Sequence, residues 1–119
     1  MLHAVIDIGS NTIRMAVYQI EGRSFTLLLK RKHTVGLAGY LSHGRLVREG
    51  VEKTVKILRG FMEFIETFGI AHVHAFATAA LRSATNSRAA TEEIMRRTGV
   101  SIRIISGEEE AAYDFIGAT

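Results

Sequence analysis

Val5-Ile6-Asp7-Ile8-Gly9-Ser10-Asn11-Thr12-Ile13-Arg14 is the stretch whose reading decides the fold. An apolar run climbs to an aspartate and turns through Gly-Ser-Asn. It then enters an alternation in which Ile13, Met15 and Val17 share one face and Arg14, Ala16 and Tyr18 the other. The pattern predicts strand, tight turn, strand. Gly9 lets the backbone turn and lets an anion approach closely, while Ser10, Asn11 and Thr12 add side-chain donors to the backbone N–H groups of the tip. A concave array of this kind suits phosphate oxygens. Asp7, a hard oxygen ligand at the strand end, is a candidate Mg²⁺ ligand, directly or through water. Gly, Ser, Asn and Asp are also ordinary turn residues, so a plain hairpin is the competing reading.

Downstream, Glu21-Gly22-Arg23-Ser24 marks a second turn, and Phe25 to His33 reads as a third strand ending in Lys30-Arg31-Lys32-His33. Three strands on short turns form an antiparallel meander. The basic cluster reads first as a solvated strand end. Residues Gly36 to Gly44 form a loop. The Gly39-x-x-x-x-Gly44 spacing is not a P-loop, because Arg45-Leu46 follows in place of Lys-Ser/Thr and no strand leads in. From about Leu46 to Phe68 the apolar residues Val47, Val51, Val55, Leu58, Met62 and Ile65 recur at helical spacing, with Gly69 as the C-terminal stop. A fourth strand is expected over Ile70 to Ala77, a helix over Ser87 to Thr98 closed by Gly99, a fifth strand over Val100 to Ile105, and a last helix over Glu108 to about Ile116. The order β-β-β-α-β-α-β-α is that of an α/β fold with a mixed sheet, a meander followed by crossovers.

The chain has 119 residues, 47 % of them hydrophobic, the size and composition of one folded domain. That length can bury roughly two-thirds of the surface its unfolded chain exposes. There is no cysteine, which excludes disulfides and thiolate metal sites and suits a cytoplasmic location. Asp7 interrupts the N-terminus too early for a secretory apolar region, and no apolar run approaches the ~20 residues that span a membrane. Fifteen Lys+Arg against twelve Asp+Glu give a formal charge of +3, concentrated between Arg23 and Lys56. Such a field favours anionic ligands without choosing among them; no sequence-specific nucleic-acid partner and no membrane partner is expected.

In this topology the first, fourth and fifth strands run parallel, and ligands of α/β sheets bind beyond the carboxyl ends of such strands. Those ends carry Asp7-x-Gly9-Ser10-Asn11, Thr78-Ala79-Ala80-Leu81-Arg82 and Ser106-Gly107-Glu108-Glu109-Glu110. Arg82 offers a fork of donors for phosphate, and the small residues from Thr78 open a helix N-terminus to a ligand. Carboxylates in a first helical turn complement the helix dipole; one facing a phosphate is instead a candidate general base for an attacking water. Glu110 and Asp114, four apart, share a helix face. His72 and His74 alternate onto one strand face, but no third ligand is apparent from the sequence, so no zinc site is assigned.

Taken together, Asp7-Ile-Gly-Ser-Asn-Thr-Ile-Arg14, Ala77-Thr-Ala-Ala-Leu-Arg82 with Asn86, and Ser106-Gly-Glu-Glu-Glu-Ala111 resemble the exopolyphosphatase/guanosine pentaphosphate phosphatase family of the actin-like ATPase superfamily. The resemblance runs from Val5 to Gly117. It implies a ribonuclease-H-like lobe and Mg²⁺-dependent release of terminal phosphate from inorganic polyphosphate or pppGpp by a homodimeric parent. On the matching positions it implies Asp7 in the metal set, and Gly9, Ser10, Asn11 and Arg14 in the first phosphate loop. Thr78 and Arg82 fall on phosphate, and Glu110 is the water-activating glutamate. The family's second phosphate loop, Asp-x-Gly-Gly-Gly-Ser/Thr, and its second lobe have no counterpart in the 119 residues, which correspond to the first part of the N-terminal lobe, residues 1–119 forming a single partial domain. Little or no hydrolysis is therefore expected of these residues alone. A non-catalytic polyphosphate- or nucleotide-sensing module of the same fold is the alternative. A sugar or acid kinase lobe shares only the Asp-x-Gly start.

Overall fold

The computed structural model describes residues 1–109, in one five-stranded mixed sheet backed by helices. The chain runs β1 (Leu2–Ile8), β2 (Thr12–Glu21) and β3 (Ser24–Thr34), then a single 3-10 turn at Leu37–Tyr40. A two-residue hairpin, β4 (Leu41–Ser42) and β5 (Arg45–Leu46), leads into α1 (Arg48–Thr67). Strand β6 (His72–Ala77), the short helix α2 (Ala79–Ser83), α3 (Ser87–Thr98) and β7 (Ile102–Ile104) complete the described residues. Strand order in the large sheet is β3-β2-β1-β6-β7. The first three strands are antiparallel, and β6 and β7 run parallel to β1. The expected α/β architecture with its mixed sheet is therefore the observed one, and the last expected helix, over 108–116, falls largely outside the described residues.

Alternation sets the two faces. Ala4, Ile6 and Ile8 of β1 align with Val17, Met15 and Ile13 of β2 and with Val73, Ala75 and Ala77 of β6. Nearly all of these are buried, and they form one core with Val51, Val55, Leu58, Phe61 and Ile65 of α1 and Ala90 and Ile94 of α3. His3, Val5 and Asp7, with Tyr18, Arg14, His74 and Phe76, lie on the opposite face. Helices α1 and α3 are also clamped at their surface. Arg97 donates to Glu52 at 2.5 and 2.9 Å and to Glu93 at 3.1 Å, and Arg48 pairs with Glu93. The Arg97 hydrogen bond holds the Glu52 carboxyl below its usual range, and the Arg48 hydrogen bond does the same for Glu93.

Two strand starts differ from expectation, each through the end of the helix before it. Helix α1 ends in a Schellman motif: the N–H of Gly69 (φ 64°) donates to Glu66 O at 3.2 Å and that of Ile70 to Ile65 O at 3.0 Å. Ile70, read as the first residue of a strand, is thus spent on the cap, and β6 begins at His72. Gly99 (φ 75°) closes α3 with a bond to Met95 O at 2.8 Å, and Val100 N donates to Thr98 Oγ1 at 3.2 Å, so β7 starts at Ile102 rather than Val100. The loop over 36–44 contains the 3-10 turn and β4. Asn86 braces it by pairing both amide atoms with the backbone of Leu46, at 2.8 and 3.0 Å.

Two glycines of α1 have opposite expected responses to alanine. A Cβ at Gly60 meets nothing within 4 Å, so Gly60→Ala is expected to stabilise by about 0.5–1 kcal/mol through helix propensity and a stiffer unfolded chain. A Cβ at Gly50 meets Tyr40 Cβ at 2.8 Å and Leu46 Cδ1 at 2.9 Å. Tyr40 Cβ is fixed to the backbone and cannot swing aside, so Gly50→Ala is expected to destabilise by about 1–3 kcal/mol despite better propensity. Urea midpoints of the two variants check this; a stabilised Gly50→Ala chain refutes the steric account.

Candidate active site

The three parallel strands end on one line. Ile8 aligns with Ala77, and Ala77 with Ile104. At a strand spacing of about 4.8 Å, the outer two of these ends are separated by roughly 10 Å, the span of a short phosphate chain. Hydrogen bonds tie the residues beyond those ends together. Thr78 N donates to Ile8 O at 3.1 Å, Ile105 N to Ala77 O at 3.0 Å, and Arg82 Nη1 to Ile105 O at 2.9 Å. The opening hairpin, the α2 entry and the exit from β7 thus meet at one edge of the sheet.

The hairpin tip is held from behind. Asn11 O accepts from Val35 N and Gly36 N, both at 3.1 Å, and Ser10 O accepts from Ala38 N at 3.1 Å. Its carbonyls are therefore occupied by the segment that follows β3, whereas the backbone N–H groups of Ser10 and Asn11 donate to no backbone group among the described residues. Gly9 N closes the turn on Thr12 O at 3.0 Å, and a Cβ at Gly9 would stand 3.0 Å from that carbonyl and 3.9 Å from Thr78 Oγ1. Only glycine leaves this corner open. Thr78, buried, stands at the N-cap position of α2, and its carbonyl receives Arg82 N at 2.9 Å.

Asp7 and Arg14 face each other across β1 and β2, with Arg14 Nε 3.7 Å from Asp7 Oδ2. Lys32 of β3 is the cross-strand partner of Arg14, which extends the row Asp7–Arg14–Lys32 over three strands. Lys32, expected at a solvated strand end, thus stands in a row that only the pairing of β2 with β3 reveals. Mg²⁺ is commonly held by one or two carboxylates together with substrate phosphates and water. Asp7, a quarter exposed at the strand end, fits that mode. No three His, Asp or Glu side chains among the described residues make an all-protein cage.

The acidic run divides. Ser106 Oγ accepts from Glu109 N at 3.1 Å and Glu109 Oε1 accepts from Ser106 N at 3.3 Å, a reciprocal capping box. Glu109 Oε2 also receives Arg103 Nη2 at 2.5 Å. The Glu109 carboxylate is thus occupied in starting the helix and pairing with β7, while Glu108 is exposed. Glu110, the candidate catalytic residue, and Asp114 lie outside the described residues. The structure brings together Gly9, Thr78 and Arg82, places Asp7 and Arg14 side by side at the same end of the sheet, and assigns Asn86 to bracing rather than to the strand ends.

The sequence profile of the Ppx/GppA phosphatase family matches residues 16–119. Exopolyphosphatase 1 of Mycobacterium tuberculosis is 32 % identical over 114 residues, covering 94 % of this chain and 33 % of the relative. Guanosine-5'-triphosphate,3'-diphosphate pyrophosphatase of Vibrio vulnificus is 35 % identical over 117 residues, covering 98 % of this chain and 24 % of the relative. Among solved structures, a Ppx/GppA family member of Aquifex aeolicus superposes with a TM-score of 0.86 at 32 % identity, over 92 % of this chain and 36 % of that one. An exopolyphosphatase of Cytophaga hutchinsonii gives the same TM-score at 26 % identity, over 94 % and 36 % of the two chains. The chain thus spans about a third or less of the length of these relatives. With the fold, the profile and these relatives in agreement, it belongs to the Ppx/GppA phosphatase family.

Proposed function

We propose that these residues form the phosphate-facing part of a hydrolase that releases terminal phosphate from inorganic polyphosphate or from guanosine pentaphosphate. The observation that carries this reading is the common register of Ile8, Ala77 and Ile104, which gathers Gly9, Thr78 and Arg82 at one edge. The names of the relatives supply the substrate class. In this reading the N–H groups of Ser10 and Asn11 receive phosphate oxygens, and Arg82 and Arg14 offset their charge. Asp7 holds Mg²⁺, which when bound neutralises phosphate charge. Glu110 takes a proton from water as the water oxygen forms a bond to the terminal phosphorus. The phosphoanhydride bond breaks, and the shortened chain leaves with the bonding electron pair.

Phosphoryl transfer depends on charge placed around the whole phosphate, and the chain has no Asp-x-Gly-Gly-Gly loop. The 119 residues are therefore expected to bind tripolyphosphate in a Mg²⁺-dependent manner with little or no phosphate release. Calorimetric titration of tripolyphosphate with and without Mg²⁺, alongside a phosphate-release assay, tests both halves. Absence of binding under either condition overturns the reading of the site. Turnover comparable to that of a full-length relative overturns the expectation of inactivity and would place the whole machinery within these residues.

A further inference from the structure

The end of β1 remote from Asp7 carries a second cluster. His3 of β1 is the register partner of His72 on β6, and His74 follows two residues on, so all three imidazoles stand on the same face of the sheet. The His3 ring lies 4.6 Å from that of His72, inclined by 17°, and 5.3 Å from that of His74, inclined by 8°. His3 Nδ1 and His74 Nε2 are 3.0 Å apart. All three are at least partly exposed. Four residues of β-strand, roughly 13 Å, separate His3 from Asp7, so the cluster is distinct from the candidate active site.

We propose that His3 and His74 chelate a divalent late first-row transition ion, with Zn²⁺ the type case and His72 as the adjoining ligand. Two nitrogens bound to one Zn²⁺ at about 2.0–2.1 Å and at the tetrahedral angle lie about 3.3 Å apart, close to the 3.0 Å that the His3–His74 pair already shows. In the metal-free pair one of these two nitrogens carries a proton to bridge them; on metal binding that proton moves to the other nitrogen of its ring, and the two rings turn so that both lone pairs converge on the ion. The stacked orientation of His72 does not converge on the pair, in keeping with the absence of a three-ligand group among the described residues. For His72 to join, its exposed ring must turn about χ1 and χ2, and water fills the rest of the shell. Imidazole donors select Zn²⁺, Cu²⁺ and Ni²⁺ over the oxygen-seeking Mg²⁺. The ion would clip β1 to β6, the two strands whose far ends carry Gly9 and Thr78.

The test is calorimetric titration of Zn²⁺ into the untagged chain, with Co²⁺ as a spectroscopic probe whose visible absorption reports nitrogen coordination. One Zn²⁺ per chain is expected. His3→Gln and His74→Gln are each expected to weaken it by more than about 100-fold, since even outer-shell partners of metal ligands are worth 10–100-fold. His72→Gln is expected to weaken it about tenfold. At a Zn²⁺ concentration about 100 times its dissociation constant the melting temperature should rise by roughly 10 °C, and Mg²⁺ should not reproduce the shift. The side chains replaced are exposed or half-exposed, and far-UV circular dichroism verifies that each variant is folded. Absence of saturable Zn²⁺ binding, or binding undiminished in His3→Gln or His74→Gln, overturns the proposal.

Discussion

Replacing Arg82 with alanine is expected to weaken tripolyphosphate binding by about 10–100-fold. The reason is that a hydrogen bond to a charged group contributes about 1.5–3 kcal/mol and 1.4 kcal/mol is a factor of ten. The guanidinium has five N–H donors in a fixed fork, and one of them is aimed at Ile105 O. This residue both joins the α2 entry to the exit of β7 and directs positive charge at the edge where the strand ends meet. Lysine keeps the charge but not the fork, so Arg82→Lys is expected to recover part of the affinity and not all of it. Titration calorimetry at fixed Mg²⁺ measures both variants. Wild-type affinity in Arg82→Ala would remove Arg82 from the phosphate site and leave it a structural role, such as its contact with Ile105.

The second large effect is on stability. Leu58, midway along α1, is fully buried in the core shared by the sheet, α1 and α3. Leu58→Ala is expected to cost about 2–5 kcal/mol, the lost transfer energy plus that of the cavity left behind. Against a total of about 5–15 kcal/mol for a domain, this is a substantial share, and it corresponds to a melting temperature lower by roughly 10–20 °C. Phe68, just past the end of the same helix and 61 % exposed, is the control: Phe68→Ala is expected to stay within about 0.5 kcal/mol. Urea midpoints separate the two. A Leu58→Ala chain as stable as the control would mean that α1 does not seal the core.

Much of the fold was legible because local chemistry and global packing agree. The alternation of β1 and β2 fixes which residues face the helices, and the register realises it, Ile6 opposite Met15 and Asp7 opposite Arg14. Gly69 and Gly99 were readable as stops because both need a positive φ, which other residues adopt at a cost. The misplaced strand starts at Ile70 and Val100 come from the same helix ends: the Ile70 N–H is taken by the Ile65 carbonyl and the Val100 N–H by the Thr98 hydroxyl, so neither joins a ladder.

While the β4–β5 hairpin and α2 were not read from it, the sequence by itself determined the five main strands and the helices α1 and α3, the two faces of β2, and the candidates Asp7, Gly9, Arg14, Thr78 and Arg82. These follow from periodicity of two or 3.6 residues, from turn chemistry, and from motifs confined to short segments. Only the tertiary structure decided that Glu109 is occupied as a capping residue, that Asn86 braces Leu46, that Lys32 stands beside Arg14, and that His3 joins His72 and His74. Each of these is a contact between residues distant in sequence or a choice among adjacent like residues. Spacing along the chain carries no information about which strand pairs with which, or in what register, until the core has formed.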